Sequence, residues 1–250
     1  MARRARFEEI ADDLREAIVR GDYRPGDALP KLDDLAAAFA VSRDTVLNAI
    51  RALREEGWLE VRRGQGTFLR FGRVVACRYR PDMPRGGPWT TAIATAGRSG
   101  SIRPLGIDMI TTGRREASWL QIPIGTEVIV RRRHLIDSQG EPIQLYDSYL
   151  PRELVKDSPL GGPTVAHGGV YRSLERIGHP PAQMGEEISA RMPTPSEASV
   201  LRLGKRTPVL EVVRVTRDES GQVVEALHIV AAADRNVLVY DGLPIARGQY

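Results

Sequence analysis

Three stretches of apolar residues at helical spacing, then an alternating pair around a glycine turn, fill the first seventy residues and leave them little freedom in how to fold. Phe7, Ile10, Leu14, Ala17 and Ile18 place one apolar stripe on a helix that stops at Gly21. Tyr23-Arg24-Pro25-Gly26-Asp27 reads as a turn. Leu32, Leu35, Ala36 and Phe39 share one face of a short second helix. Ser42 offers the side-chain oxygen of an N-cap, and a third helix runs from it to about Glu56. Val46, Ala49, Ile50 and Leu53 are its buried stripe, and Gly57 stands just past its end. The period then drops to two. Residues 58–63 and 67–70 alternate as strands on either side of Gly64-Gln65-Gly66, a hairpin turn.

The remaining length sets the wider frame. A chain of 250 residues with 42% hydrophobic side chains can bury two ordinary cores and needs no disulfide or metal to hold them. Its one cysteine, Cys77, rules out an internal disulfide and a cysteine-only zinc site. No apolar run approaches the ~18 residues of a spanning helix, and the basic first residues precede no apolar segment of a signal peptide. The expectation is a soluble, cytoplasmic protein with no membrane partner. Residues 1–70 form the first domain. Residues 71–88, with Pro81, Pro84, Gly86, Gly87 and Pro88, read as a linker, and 89–250 as a second domain. There, 128–135, 143–150, 209–217 and 223–231 alternate as strands, and two Asp-to-Gly turns at 137–140 and 218–221 join them in antiparallel pairs. Helices are expected around Val170, Leu174 and Ile177, and after Pro195-Ser196. The fold class is α+β.

Three helices and a hairpin make a winged helix-turn-helix, and its third helix is narrow enough to enter a major groove, where base edges are distinguishable. The buried stripe turns Arg43, Asp44, Leu47, Asn48 and Arg51 outward. Ser42 and the free amides at the helix start suit a phosphate. Arg43 can pair with guanine or a phosphate, Thr45 can touch a thymine methyl or a phosphate, and Asn48 faces the groove. Gly64, Gln65 and Gly66 let the wing backbone approach a minor groove, with Arg62 and Arg63 beside it. The net charge of +4 is concentrated in this part, and only Lys31, Lys156 and Lys205 among the 36 basic residues are lysine. Arginine is the better fork for phosphate and base.

The second half carries no catalytic signature. His134, His167, His179 and His228 have no metal-ligand spacing, and no G-x-S-x-G or P-loop occurs, so neither an enzyme nor a cofactor is expected. Its informative stretch is Val130-Arg131-Arg132-Arg133-His134. On a strand, Arg131 and Arg133 share a face and Arg132 points away. Two guanidiniums side by side require carboxylates or a bound anion between them.

The N-terminal motifs Tyr23-Arg24-Pro25-Gly26-Asp27-Ala28-Leu29-Pro30, Leu35-Ala36, Phe39-Ala40-Val41-Ser42-Arg43-Asp44-Thr45-Val46, Leu53-Arg54-Glu55-Glu56-Gly57-Trp58-Leu59 and Gly64-Gln65-Gly66-Thr67-Phe68 resemble, in order and spacing, the DNA-binding domain of GntR-type bacterial transcription regulators. Two departures stand out. Lys31-Leu32-Asp33 replaces the usual Ser-Glu and following arginine, and Leu47 replaces a usual arginine. The resemblance implies that Lys31 takes over a phosphate contact and that Asp33 repels one.

More loosely, Trp89-Thr90, Gly97, Val130-Arg131-Arg132-Arg133, Glu141-Pro142-Ile143, Ser148-Tyr149-Leu150-Pro151, Val224-Glu225 and Asp234-Arg235 resemble the UTRA ligand-sensing domain of the HutC branch. That domain is similar in fold to chorismate lyase, an antiparallel sheet with packed helices. The resemblance implies that Thr90, Arg131, Arg133 and Glu225 line an effector pocket, with Tyr146 where the family often has Glu. It also implies a homodimeric regulator, most often a repressor, on palindromic operator DNA. The effector would be a small anion, a phosphorylated sugar or an organic acid. The alternatives are a ligand-independent repressor, for example of a mobile element, whose second domain only dimerises, and a lyase-like enzyme, against which the missing catalytic pairings argue.

Overall fold

A computed structural model describes residues 5–24, 26–70, 75–79, 100–137, 140–162, 169–240 and 242. The chain divides into two compact units. The first combines the described residues of Met1–Val74 with Met192–Pro208 and Ala233–Arg235. The second combines those of Val75–Arg191, Val209–Ala232 and Asn236–Tyr250. The 89–98 stretch, with Thr90 and Gly97, lies outside the described residues.

The first unit opens with α1 (Arg6–Arg20), α2 (Leu32–Ala38) and α3 (Arg43–Glu55), then β1 (Leu59–Arg62) and β2 (Gly66–Leu69), paired antiparallel from Leu59 against Leu69 to Arg62 against Gly66. Ile10, Leu14, Leu35, Val46, Ile50, Leu53, Leu59 and Leu69 form one core, so the predicted stripes of all three helices meet. The chain returns to this unit twice from far along the sequence. The Arg206 amide donates to the Glu55 carbonyl at 2.7 Å, covering an otherwise open acceptor at the end of α3. Gly57, at φ +87°, sits so close to Thr207 that a Cβ there would lie 2.6 Å from its Oγ1. Arg70 pairs with the buried Asp234 at 3.2 Å.

The second unit follows with β3 (Val75–Tyr79), β4 (Gly100–Thr111), α4 (Arg114–Leu120), β5 (Glu127–Asp137), β6 (Pro142–Pro151), α5 (Arg152–Val155), α6 (Gly169–Arg176) and β7 (Pro181–Arg191). After α7 (Pro195–Val200) of the first unit come β8 (Val209–Asp218), β9 (Val223–Ala232) and β10 (Asn236–Tyr240). Six strands form one antiparallel sheet in the order β4-β5-β6-β9-β8-β7. The stretch read as a linker contains β3, which pairs in parallel with β10. Among the described residues no helix is long and apolar enough to cross a membrane.

Register decides which side chains share a face. Arg131 opposes Ser148, which opposes Leu227, which opposes Arg214. Arg133 opposes Tyr146, and Glu225 opposes Thr216. One face therefore carries Arg131, Arg133, Tyr146, Ser148, Glu225, Arg214 and Thr216. The other carries Arg132, Asp147, His228 and Glu211, covered in part by Trp119 of α4, whose ring stacks on His228 at 5.5 Å. Arg132 pairs there with Asp108 and Asp147.

On that second face Glu211 accepts from Arg115 at 2.7 Å, His228 at 2.8 Å and Arg191 at 3.1 Å. Burial alone would raise its carboxyl, but the three donors hold it at about 2, below the ordinary 4.5. A carboxylate held low in the folded state adds stability above its unfolded value, and that stability is lost as pH falls toward the folded one. Glu211→Gln should therefore cost about 1–2 kcal/mol at neutral pH and flatten the decline in stability between about pH 4.5 and 2. Denaturant melts across that range check it. Some slope will remain, because Asp218 is also held at about 2, chiefly by Ser220 and then His179.

Candidate nucleic-acid interface and effector site

Burial of Val46, Ala49, Ile50 and Leu53 leaves Arg43, Asp44, Leu47, Asn48 and Arg51 on the exposed side of α3, as the stripe predicts. Ser42 caps the helix. Its Oγ accepts from the Thr45 amide at 3.3 Å and lies 2.8 Å from Thr45 Oγ1. Arg51 donates to Asn48 Oδ1 at 3.1 Å, which engages the acceptor of that amide and not its N–H donors. Arg43 Nε lies 3.0 Å from Asp33 Oδ1, with both side chains about two-thirds exposed (65% and 67%). Lys31 is exposed at the start of α2, where its carbonyl accepts from the Leu35 amide.

In the wing, Arg63, Gly64, Gln65 and Gly66 are exposed, and both glycines have positive φ, 75° and 119°, as the tight tip requires. Arg62 is engaged within the hairpin. It donates to Glu60 at 2.6 and 2.8 Å and its guanidinium sits 4.2 Å above the Phe68 ring. The Asp33–Arg43 pair is what sequence reasoning missed. The two residues are ten apart and on different helices, so no periodicity joins them.

On the first face of the sheet, Arg131 and Arg133 do point together but meet different surroundings. Arg131 is buried, and its Nη1 donates to the carbonyls of Leu160 at 2.9 Å, Gly162 at 2.9 Å and Pro159 at 3.3 Å. Burial first, and then the charge of Arg133, lower its pKa from the ordinary arginine value. Arg133 lies 5.8 Å over the Tyr146 ring, and its Nε is buried with no hydrogen-bond partner among the described residues. Glu225 is buried and accepts from Ser148. Burial pushes its carboxyl up, opposed by Ser148, Arg133 and Arg214.

Further groups that sequence reasoning did not single out extend this polar strip. Arg214 donates to Glu186 at 2.7 Å, and Tyr171 of α6 lies 3.0 Å from Thr216. Arg214 carried a usable signal: it alternates with Val212 and Thr216 on the buried face of β8. Thr90 lies outside the described residues. Chemically, the strip offers Arg133 Nε, a donor without a partner among the described residues, for an anion, and a carboxyl for hydroxyl donors.

Comparison with known proteins places both parts of the chain in known families. Residues 6–69 match the bacterial regulatory proteins of the gntR family, and residues 95–236 match the UTRA domain. An uncharacterised HTH-type transcriptional regulator of Streptomyces coelicolor, SCO4628, is 35% identical across 94% of this chain and 92% of its own length. The mannosyl-D-glycerate transport/metabolism system repressor MngR of Escherichia coli is 29% identical across 90% of each chain. The crystal structure of PhnF from Mycobacterium smegmatis shares the fold, with a TM-score of 0.60 over 95% of this chain and 99% of that one at 24% identity. The chain thus belongs to the GntR family, as a DNA-binding transcription regulator, not an enzyme, that carries a UTRA effector domain behind its helix-turn-helix.

Proposed function

We propose that this regulator represses transcription in the cytoplasm as a homodimer on a palindromic operator, and that a small anion bound on the first face of the sheet changes its affinity for that operator. A two-fold dimer presents two recognition helices, which matches a palindromic site. Relatives named as repressors support the sign. The observation that carries the effector half is Arg133: its Nε is buried and has no hydrogen-bond partner among the described residues, a state a native interior rarely keeps without a ligand or water. A carboxylate or phosphate would complete it, while hydroxyls on the same molecule reach toward Glu225 and Ser148. An anion can shift the regulator only by binding the DNA-competent and DNA-incompetent arrangements unequally.

The test is selection of genomic fragments by the purified full chain, followed by footprinting. A short palindromic footprint is expected, and anions drawn from the neighbouring genes' chemistry should then release it. Arg133→Met should keep operator binding and lose the response to the anion. Equal operator affinity with and without every anion that binds would overturn the sensing half.

Arg43→Ala tests base reading directly. Loss of a bidentate arginine–guanine contact should weaken operator binding by about 1–3 kcal/mol. Unchanged affinity in a gel-shift titration would remove Arg43 from base readout.

A further inference from the structure

We propose that Leu47 reads the C5-methyl group of a pyrimidine in the major groove and so sets the operator's preference at one base pair of each half-site. The inference rests on the operator reading above and deepens it. Burial of Val46, Ala49, Ile50 and Leu53 turns the other side of α3 outward. That side carries Arg43, Asp44, Asn48 and Arg51, all exposed and all able to hydrogen-bond. Leu47 stands among them with 43% of its surface exposed, the one large apolar side chain of α3 outside the buried stripe. Residues four apart are neighbours along a helix face. Arg43 therefore lies one turn before Leu47, and Arg51 one turn after it.

A lone exposed leucine costs a protein little and by itself says little. Its place is what gives it consequence, because it is continuous with the outward residues of the helix-turn-helix that matches the gntR family. When the arginines on either side bring α3 against DNA, Leu47 is drawn in between them and loses its water. A leucine side chain donates and accepts nothing, so it holds no phosphate and pairs with no polar base edge. Over such an edge it would strip water from donors and acceptors and return no hydrogen bond.

The major groove presents one apolar group, the C5-methyl of thymine. A 5-methylcytosine carries the same methyl at the same ring carbon. Against that methyl the contact removes apolar surface from water on both sides. Leu47 thus selects by two effects of the same sign, a gain from the methyl and a penalty on edges that lack it. Thr45 is the rival for the contact. Its side chain is half-buried, however, and its hydroxyl lies 2.8 Å from that of Ser42 in the helix cap.

The experiment uses the full chain and the footprinted operator at one salt concentration. In one set of duplexes each thymine, together with its symmetry mate, is replaced by uracil, which removes the methyl and keeps every hydrogen-bonding atom. In a second set each cytosine and its mate are replaced by 5-methylcytosine, which adds the methyl. The proteins are wild type, Leu47→Ala and Leu47→Met, each checked for wild-type melting. Both replacements are good helix formers at an exposed helical site, so neither threatens the fold. Burial of one methyl group is equivalent to about fourfold in affinity, and of one in each half-site to about fifteenfold. Uracil at one thymine pair should therefore weaken wild-type binding by about fifteenfold. If the operator has cytosine at that position, 5-methylcytosine should strengthen binding by the same factor, and the regulator then senses cytosine methylation. Leu47→Met stays apolar and should keep most of the effect. Leu47→Ala should bind the duplexes with and without the methyl alike.

Wild-type binding indifferent to the methyl at every pyrimidine overturns the proposal. So does a methyl effect that persists at full size in Leu47→Ala, which would assign it to Thr45 or to a change in duplex shape. Both outcomes leave the footprint, and with it the operator reading, in place. A wild-type protein that gives no footprint overturns the operator reading itself, and that is visible before any variant is made.

Discussion

Arg131→Met is expected to destabilise the second unit by about 3 kcal/mol with no effector present, a larger loss than any single exposed contact in the molecule would give. Arg131 gathers the carbonyls of Pro159, Leu160 and Gly162 with one terminal nitrogen. Leu160 is fully buried in a core with Val155, Val170, Leu174, Ile129 and Leu150, so the loop that carries it cannot swing outward without exposing apolar surface. Nor can the loop relax inward. A Cβ on Gly161 would lie 2.5 Å from the Val155 carbonyl, which shows how closely the backbones already approach. Methionine fills a similar volume but donates nothing. Carbonyls stripped of their donor each cost about 1–3 kcal/mol when water cannot reach them, and partial rehydration brings the sum down to the stated figure. Arg133→Met should behave differently, because its buried Nε has no partner among the described residues to lose. Denaturant unfolding of the two variants separates a loop anchor from an effector ligand. If Arg131→Met unfolds at the wild-type midpoint, the 159–162 loop is held by something else, and Arg131 returns to the list of effector contacts.

That contrast marks where sequence reading reached its limit. Alternation alone places Arg131 and Arg133 on one face, because the side-chain period of a strand is two. Which of them is engaged depends on backbone 28 to 31 residues away, brought in by a loop with no period of its own. The helices α1, α2 and α3 and the four central strands were legible for the same reason: each buries a continuous stripe or face. The edge strands β4 and β7 were not. β4 contains Pro104 and Gly106, with a register shift between them, and β7 exposes most of both its faces, so neither shows the alternation that marks a half-buried strand. The packing of 204–207 and of Asp234 onto the first unit was equally hidden. Hydrogen bonds and ion pairs between residues more than a hundred apart leave no periodic trace.

Operator affinity is expected to fall about a thousandfold between ~50 and ~200 mM salt. The number follows from deciding which cations are available to phosphates. Arg43 is paired with Asp33, and Arg62 with Glu60 over the Phe68 ring, so neither enters the count at full charge. Lys31, Arg51 and Arg63 are exposed on the α2–α3 and wing surface and have no carboxylate against them among the described ion pairs. Three such contacts in each protomer give about six in the proposed dimer, hence a slope of about −5 in log affinity against log salt, which a fourfold change in salt turns into roughly three decades. Arg63→Ala should lower the slope by about two units for the dimer while leaving base preference unchanged, since phosphate contacts position without reading sequence. Arg62→Ala should leave the slope nearly where it was. If Arg62→Ala lowers it as much as Arg63→Ala does, Arg62 abandons Glu60 on binding and the wing presents two cations to the DNA; a wild-type slope of about −3 would mean that a single protomer, not a two-fold pair, meets the operator.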